Sequence, residues 1–262
     1  MPRHFAGLHG AATLPTNHFQ LVGRIISDLV DFHATGVVHG PAGTGKTYAV
    51  EAALEALRDG ATGTGIATVN LAFPSRPTMR LVADELLRAL TGSKAPSSRS
   101  RFYLTAALTD LLTAAPRLVV VDEAQRLTGD CIELLRHLHD HPDTRFALLY
   151  VGGDGCWEVL SREPMLRSRI FRRLPFQAIK RDQVPALMRG YHPIYTSAAD
   201  KLLWEIDDAY GHGTPARLGR LHPHRRHDLR RGRPRADRRR SDRQRVHPAR
   251  RRSAWLTLAA TP

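Results

Sequence analysis

The octapeptide Gly40-Pro41-Ala42-Gly43-Thr44-Gly45-Lys46-Thr47 limits what this chain can fold into more than any other stretch. It fits the spacing G-x-x-x-x-G-K-[ST] and follows a short apolar run, Gly36-Val37-Val38-His39, that reads as a strand. Its three glycines let the backbone enter φ > 0 conformations, in which successive N–H groups turn inward toward an anion. Beyond it, Tyr48 to Leu57 carries Val50, Leu54 and Leu57 at helical spacing, so a helix N-terminus adds its dipole to the loop. Strand, loop and helix in this order make a phosphate-binding loop. Lys46 is then expected to reach the β- and γ-phosphates of a nucleotide, and Thr47 to hold Mg²⁺.

A second segment, Arg117-Leu118-Val119-Val120-Val121-Asp122-Glu123, is a β-branched apolar run ending in two carboxylates. A buried parallel strand delivers acids to its C-terminal edge in this way. Asp122 is expected behind the metal, and Glu123 is expected to orient and polarise the water that attacks the γ-phosphate.

The wording Asp122-Glu123-Ala124-Gln125-Arg126-Leu127 resembles the AAA+ ATPases of bacterial transposition, of the TniB and Mu-B type. Secretion-type and origin-recognition ATPases are more distantly similar. The resemblance runs from about Asn17 to Gly213. It implies an α/β fold of three αβα layers, the P-loop NTPase type, with a parallel sheet and a small, incomplete C-terminal helical lid. It also implies ATP and Mg²⁺ as cofactors, a homo-oligomer, and work on DNA or on a transposase-like protein partner.

The remaining body is consistent with alternating strands and helices. Gly65 to Leu71, Phe146 to Val151 and Arg172 to Ile179 read as strands; Met79 to Leu90 and Phe102 to Leu112 read as helices. Phe19 to Phe32 carries Leu21, Val22, Ile25, Ile26, Leu29 and Val30 on one stripe, with Asn17 as the expected N-cap. Two lid helices are expected at Asp182 to Gly190 and Ser197 to Tyr210.

The resemblance also assigns roles that this sequence fills unevenly. Such proteins place a polar sensor at the end of the strand read at 146–151; here Gly152 and Gly153 stand there, and Asp154 is the first polar residue available. Leu166-Arg167-Ser168-Arg169-Ile170 resembles the segment carrying an arginine finger that reaches a neighbouring subunit's nucleotide. A guanidinium suits that role because it stays charged and forks onto phosphate oxygens. Arg169 is the first candidate and Arg167 the second; with Arg162, Arg172 and Arg173 nearby, a solvated basic face is the alternative. Gly213 stands where a sensing lid helix would open, with Arg217 following it.

Four regions result: an N-terminal extension over 1–16, a nucleotide-binding domain over 17–180, the start of a helical lid over 181–213, and a tail over 214–262. The tail is set apart by charge. Of the formal net charge of +14, residues 214–262 carry +13, from sixteen arginines, no lysine and three aspartates. The body is nearly neutral, so overall basicity says little about what the body binds. Two accounts fit the tail. It is either a disordered basic arm with salt-sensitive DNA affinity, or an out-of-frame translation of a GC-rich gene. The second is favoured, because one set of codons for Leu218 to His224, read one base along, gives Ala-Trp-Ala-Ala-Phe-Thr-His. That stretch is helix-forming, where a lid helix is due.

No apolar run of 18 residues or charged leader suggests a membrane span or export. Cys131 and Cys156 form no C-x-x-C pair, which fits a reducing, cytoplasmic setting. Three rival functions remain open: a regulatory ATP-binding switch with little hydrolysis, an adaptor that binds DNA through its basic tail, and a kinase for a small substrate.

Overall fold

In the computed structural model, residues 11–58, 66–92 and 100–220 are described. Five strands run parallel: β1 (Thr35–His39), β2 (Ala67–Ala72), β3 (Arg117–Asp122), β4 (Phe146–Gly152) and β5 (Ile170–Pro175), in the spatial order β2-β3-β4-β1-β5. The acids at the end of β3 and the loop after β1 therefore emerge at one edge of the sheet, on either side of β4. Ligands of open α/β sheets bind outside the carboxyl ends of the strands, where the strand order reverses.

Alternation along each central strand builds the layers. Val119 and Val121 of β3, with Phe146, Leu148 and Tyr150 of β4, face one core. That core is completed by α3 (Met79–Thr91), α4 (Arg101–Ala114), α5 (Gly129–His139) and the short helices α6 (Cys156–Ser161) and α7 (Pro164–Arg167). Leu118, Val120, Ala147, Leu149 and Val151 face the other, closed by α1 (Asn17–Phe32) and α2 (Lys46–Arg58). All seven residues of β4 are buried. A sheet covered on both faces by helices is the expected three-layer αβα architecture.

Beyond the sheet, α8 (Val184–Tyr191) and α9 (Asp200–Ile206) pack around a small separate cluster of Val184, Met188, Tyr195, Leu203 and Ile206, and α10 (Pro215–Arg220) follows. Among the described residues no helix is long and apolar enough to cross a membrane.

Several expected boundaries move. Thr16, not Asn17, caps α1: its backbone is extended and its hydroxyl accepts the Phe19 N–H at 3.2 Å, while Asn17 is already helical. The last strand covers Ile170–Pro175 rather than 172–179, because its parallel partner β1 ends at His39, opposite Pro175. The first lid helix begins as a 3-10 turn at Arg181–Gln183 before Pro185 enters the opening turn of α8. The second is α9 followed by a wider π turn, Asp207–Gly211. Helix α10 lies inside the segment read as tail. The question of a basic arm or a shifted frame, and the adaptor reading built on it, concern residues 214–262, of which 221–262 lie outside the described residues.

Candidate functional site

The loop after β1 has the backbone its glycines foreshadow. Gly40, Gly43 and Gly45 take φ of 139°, 80° and 93°, a region closed to ordinary side chains. A Cβ on Gly40 would also lie 2.3 Å from the Phe176 carbonyl oxygen, so the loop is pressed against the exit of β5. Thr44 closes it by donating its hydroxyl to the Pro41 carbonyl at 2.9 Å. Pro41 and Ala42 form its exposed crest.

Lys46 opens α2 and is buried, with 7% of its surface exposed. Its ammonium donates to the carbonyls of Gly40 and Pro41, each at 2.7 Å, and makes no salt bridge among the described residues. Burial lowers its pKa, and the charges of Asp154 and Asp122 oppose that shift. A buried cation held only by carbonyls has attraction left over for an anion. Thr47, in the same first helical turn, faces solvent.

Across β4, strand β3 ends in Asp122, half-buried, whose carboxylate accepts the Glu123 N–H at 2.7 Å. Desolvation raises the Asp122 pKa; that hydrogen bond and Lys46 pull it back. Glu123 follows with φ 55° and ψ 37°, a left-handed backbone unusual for a side chain of its size. Its Oε2 accepts from Gln125 Nε2 at 2.7 Å and pairs with Arg126 Nε at 3.3 Å. Arg126 is in turn held by the carbonyls of Phe73 and Pro74 after β2.

The structure thus brings together Gly40 to Thr47, Asp122 and Glu123. Asp154 is exposed in the turn after β4, and it supplies the largest charge effect sustaining the protonated form of Lys46. The arginines differ. Arg169 is held within its own chain, donating from Nε to Asp140 at 2.7 Å and from a terminal nitrogen to the Met165 carbonyl at 2.8 Å. Arg167, at the end of the short helix α7 (Pro164–Arg167), is exposed and has no side-chain partner among the described residues.

Two features were missed by the sequence reading. Gln125 joins Glu123 to the end of β4; it lies inside the D-E-A-Q run, where its polarity was the available signal. The start of α10 also closes onto the phosphate loop. Ala216 N–H donates to the Gly43 carbonyl at 3.1 Å, and a Cβ on Gly43 would sit 2.6 Å from the Thr214 methyl. Gly213 enables that approach at φ 67°, its N–H bonded to the buried carboxylate of Asp207 at 2.9 Å. Arg217 is exposed one turn further on.

Comparison with known proteins bears on the fold. Residues 33–160, just under half of the chain, match the family described as AAA domain. The fold is that of the AAA+ P-loop ATPases. Its similarity extends to ORC2 of Aeropyrum pernix, solved with ADPNP and ADP, at 18% identity and a TM-score of 0.61, covering 84% of this chain and 64% of that one. Cdc6p of Pyrobaculum aerophilum is similar at 20% identity and a TM-score of 0.63, covering 84% and 62%. Drosophila ORC, solved bound to DNA, is similar at 15% and 0.57, covering 82% and 56%. The chain spans less than two thirds of the length of each. No curated protein matches it in sequence. The AAA match ends before Arg167 and Arg169, so it carries no information on either.

Proposed function

We propose that this AAA+ chain hydrolyses ATP with Mg²⁺ and couples the cycle to DNA transposition or another DNA-associated process. The observation that carries the reading is Lys46: a buried ammonium without a carboxylate partner, set in a loop of three left-handed glycines, with Asp122 and Glu123 delivered to the same sheet edge. These residues fit a magnesium nucleotide. Backbone N–H groups of Gly40 to Thr47 would hold the phosphates together with Lys46, and Thr47 and Asp122 would hold the metal. Bound Mg²⁺ would neutralise charge developing between the β- and γ-phosphates. Glu123 accepts a hydrogen bond from the attacking water and draws on its proton.

A trans-acting arginine completes the proposal and makes the working form a homo-oligomer. Of the two candidates Arg167 moves ahead of Arg169, since Arg169 would first leave Asp140 and Met165. The DNA-associated part draws on the D-E-A-Q-R-L resemblance and on relatives solved with DNA. Two buried, free cysteines support a reducing, cytoplasmic setting.

A regulatory switch that binds ATP and seldom turns it over is the second reading, favoured by Gly152 and Gly153, at and just after the end of β4, where a polar sensor is expected. Steady-state ATP hydrolysis by the whole chain, with and without DNA and with Glu123→Gln as the control, separates the two. Turnover that rises with DNA and drops about 100-fold or more in the variant supports the ATPase. Tight nucleotide binding with no turnover supports the switch.

A further inference from the structure

The end of β4 offers no polar side chain of its own, yet a carboxamide occupies the place beside it. Gln125 projects from the 3-10 turn Ala124–Arg126 that follows β3. Its Oε1 accepts the Gly153 N–H at 2.9 Å, and its Nε2 donates to Glu123 Oε2 at 2.7 Å. Only one orientation of the amide serves both partners. Turned over, it would set an oxygen against a carboxylate and an NH₂ group against an N–H.

The space it fills is kept open by a missing Cβ. On Gly152 that atom would lie 2.6 Å from Gln125 Oε1 and 2.4 Å from Cys156 Sγ. The consecutive glycines are thus what the Gln125 amide requires: one gives room, the other gives its N–H. On Glu123 both partners, the Gln125 amide by a hydrogen bond and Arg126 by an ion pair, converge on Oε2, while Oε1 has no partner among the described residues. A carboxylate anchored through one oxygen presents the other in a fixed direction.

We propose that Gln125 is a positioning residue, which ties the water-orienting carboxylate of Glu123 to the end of β4 and leaves Oε1 as the oxygen that receives the water proton. It takes the place of the polar side chain that β4 lacks. The inference rests on the reading of Glu123 given under Proposed function.

Two variants of the whole chain test it. Gln125→Leu loses both hydrogen bonds; Gln125→Glu keeps an acceptor for Gly153 but sets a carboxylate oxygen where the donor was. The expected result is a kcat lowered about 10- to 100-fold in both, with the KM for ATP within about threefold of the parent. The Gly153 amide should exchange faster in Gln125→Leu and at the parental rate in Gln125→Glu. A merely structural role would leave Gln125→Glu, with its Gly153 bond intact, close to full turnover. Parental kcat in Gln125→Glu, or unchanged Gly153 exchange in Gln125→Leu, overturns the proposal and leaves the ATPase reading standing. A parent chain that binds ATP but never turns it over removes the ATPase reading itself, and the positioning role with it.

Discussion

The sheet and the C-terminal helices are built on different physical terms. Each face of the sheet closes a large apolar core, and residues such as Leu135, Leu148 and Ile132 are almost wholly excluded from water. Helices α8 and α9, with Tyr195 of the 3-10 turn between them, share a cluster of only five buried residues. Their approach to the nucleotide side instead runs through backbone and a carboxylate: Ile179 N–H to the Gly213 carbonyl at 2.8 Å, Ala216 N–H to the Gly43 carbonyl, and Gly213 N–H to the Asp207 carboxylate. Burial of apolar area is strong and undirected, whereas hydrogen bonds are weak in net terms and specific in geometry. A rigid platform and an adjustable cover follow from that contrast.

The sharpest break of the comparison is Leu135→Ala. Fully buried in the larger core, it should cost about 2–5 kcal/mol of global stability, read by chemical denaturation. Leu203→Ala empties a comparable volume in the small cluster. Its cost should appear first as faster amide exchange confined to residues 184–217, with a smaller shift of the global midpoint. If both variants lower the global midpoint equally, the two regions fold as one unit and the contrast fails.

Asp207→Ala probes the polar attachment. It leaves the Gly213 N–H without its acceptor, a cost of about 1–3 kcal/mol local to the cover, and should weaken nucleotide affinity without touching the phosphate loop. The smallest effect concerns pH. Burial raises the Asp122 pKa, so the folded chain binds its proton more tightly than the unfolded chain does. That contribution is complete below the ordinary aspartate pKa and is lost as pH rises through the higher folded value. In the absence of nucleotide, Asp122→Asn should remove this slope and raise Tm at neutral pH by no more than about 2–4 °C. A variant that melts lower at neutral pH would show that Lys46 and the Glu123 N–H outweigh desolvation.

What could be read in the sequence follows the same division. The phosphate loop, α1 and the β3 acids were legible because each is a local pattern: glycines at set spacing, a helical stripe, a β-branched run ended by carboxylates. The limits of β5 were not, since they are set by where β1 stops, more than a hundred residues away. Gln125 was visible as a residue but not as a link, because Gly153, its partner, follows a different strand, β4. The contact of Ala216 with Gly43 was hidden for the same reason, and further masked by an arginine-rich composition that begins close to it.

Glu123 is the one position in the described site where a large side chain sits on a left-handed backbone, at φ 55°. Such a conformation costs about 1–3 kcal/mol for an ordinary residue and almost nothing for glycine. A procedure that optimises folding free energy alone would therefore replace Glu123 with glycine and report a gain. The conformational penalty at this site marks where the needs of chemistry and of durability diverge, and thermal hardening of this scaffold should leave residue 123 untouched.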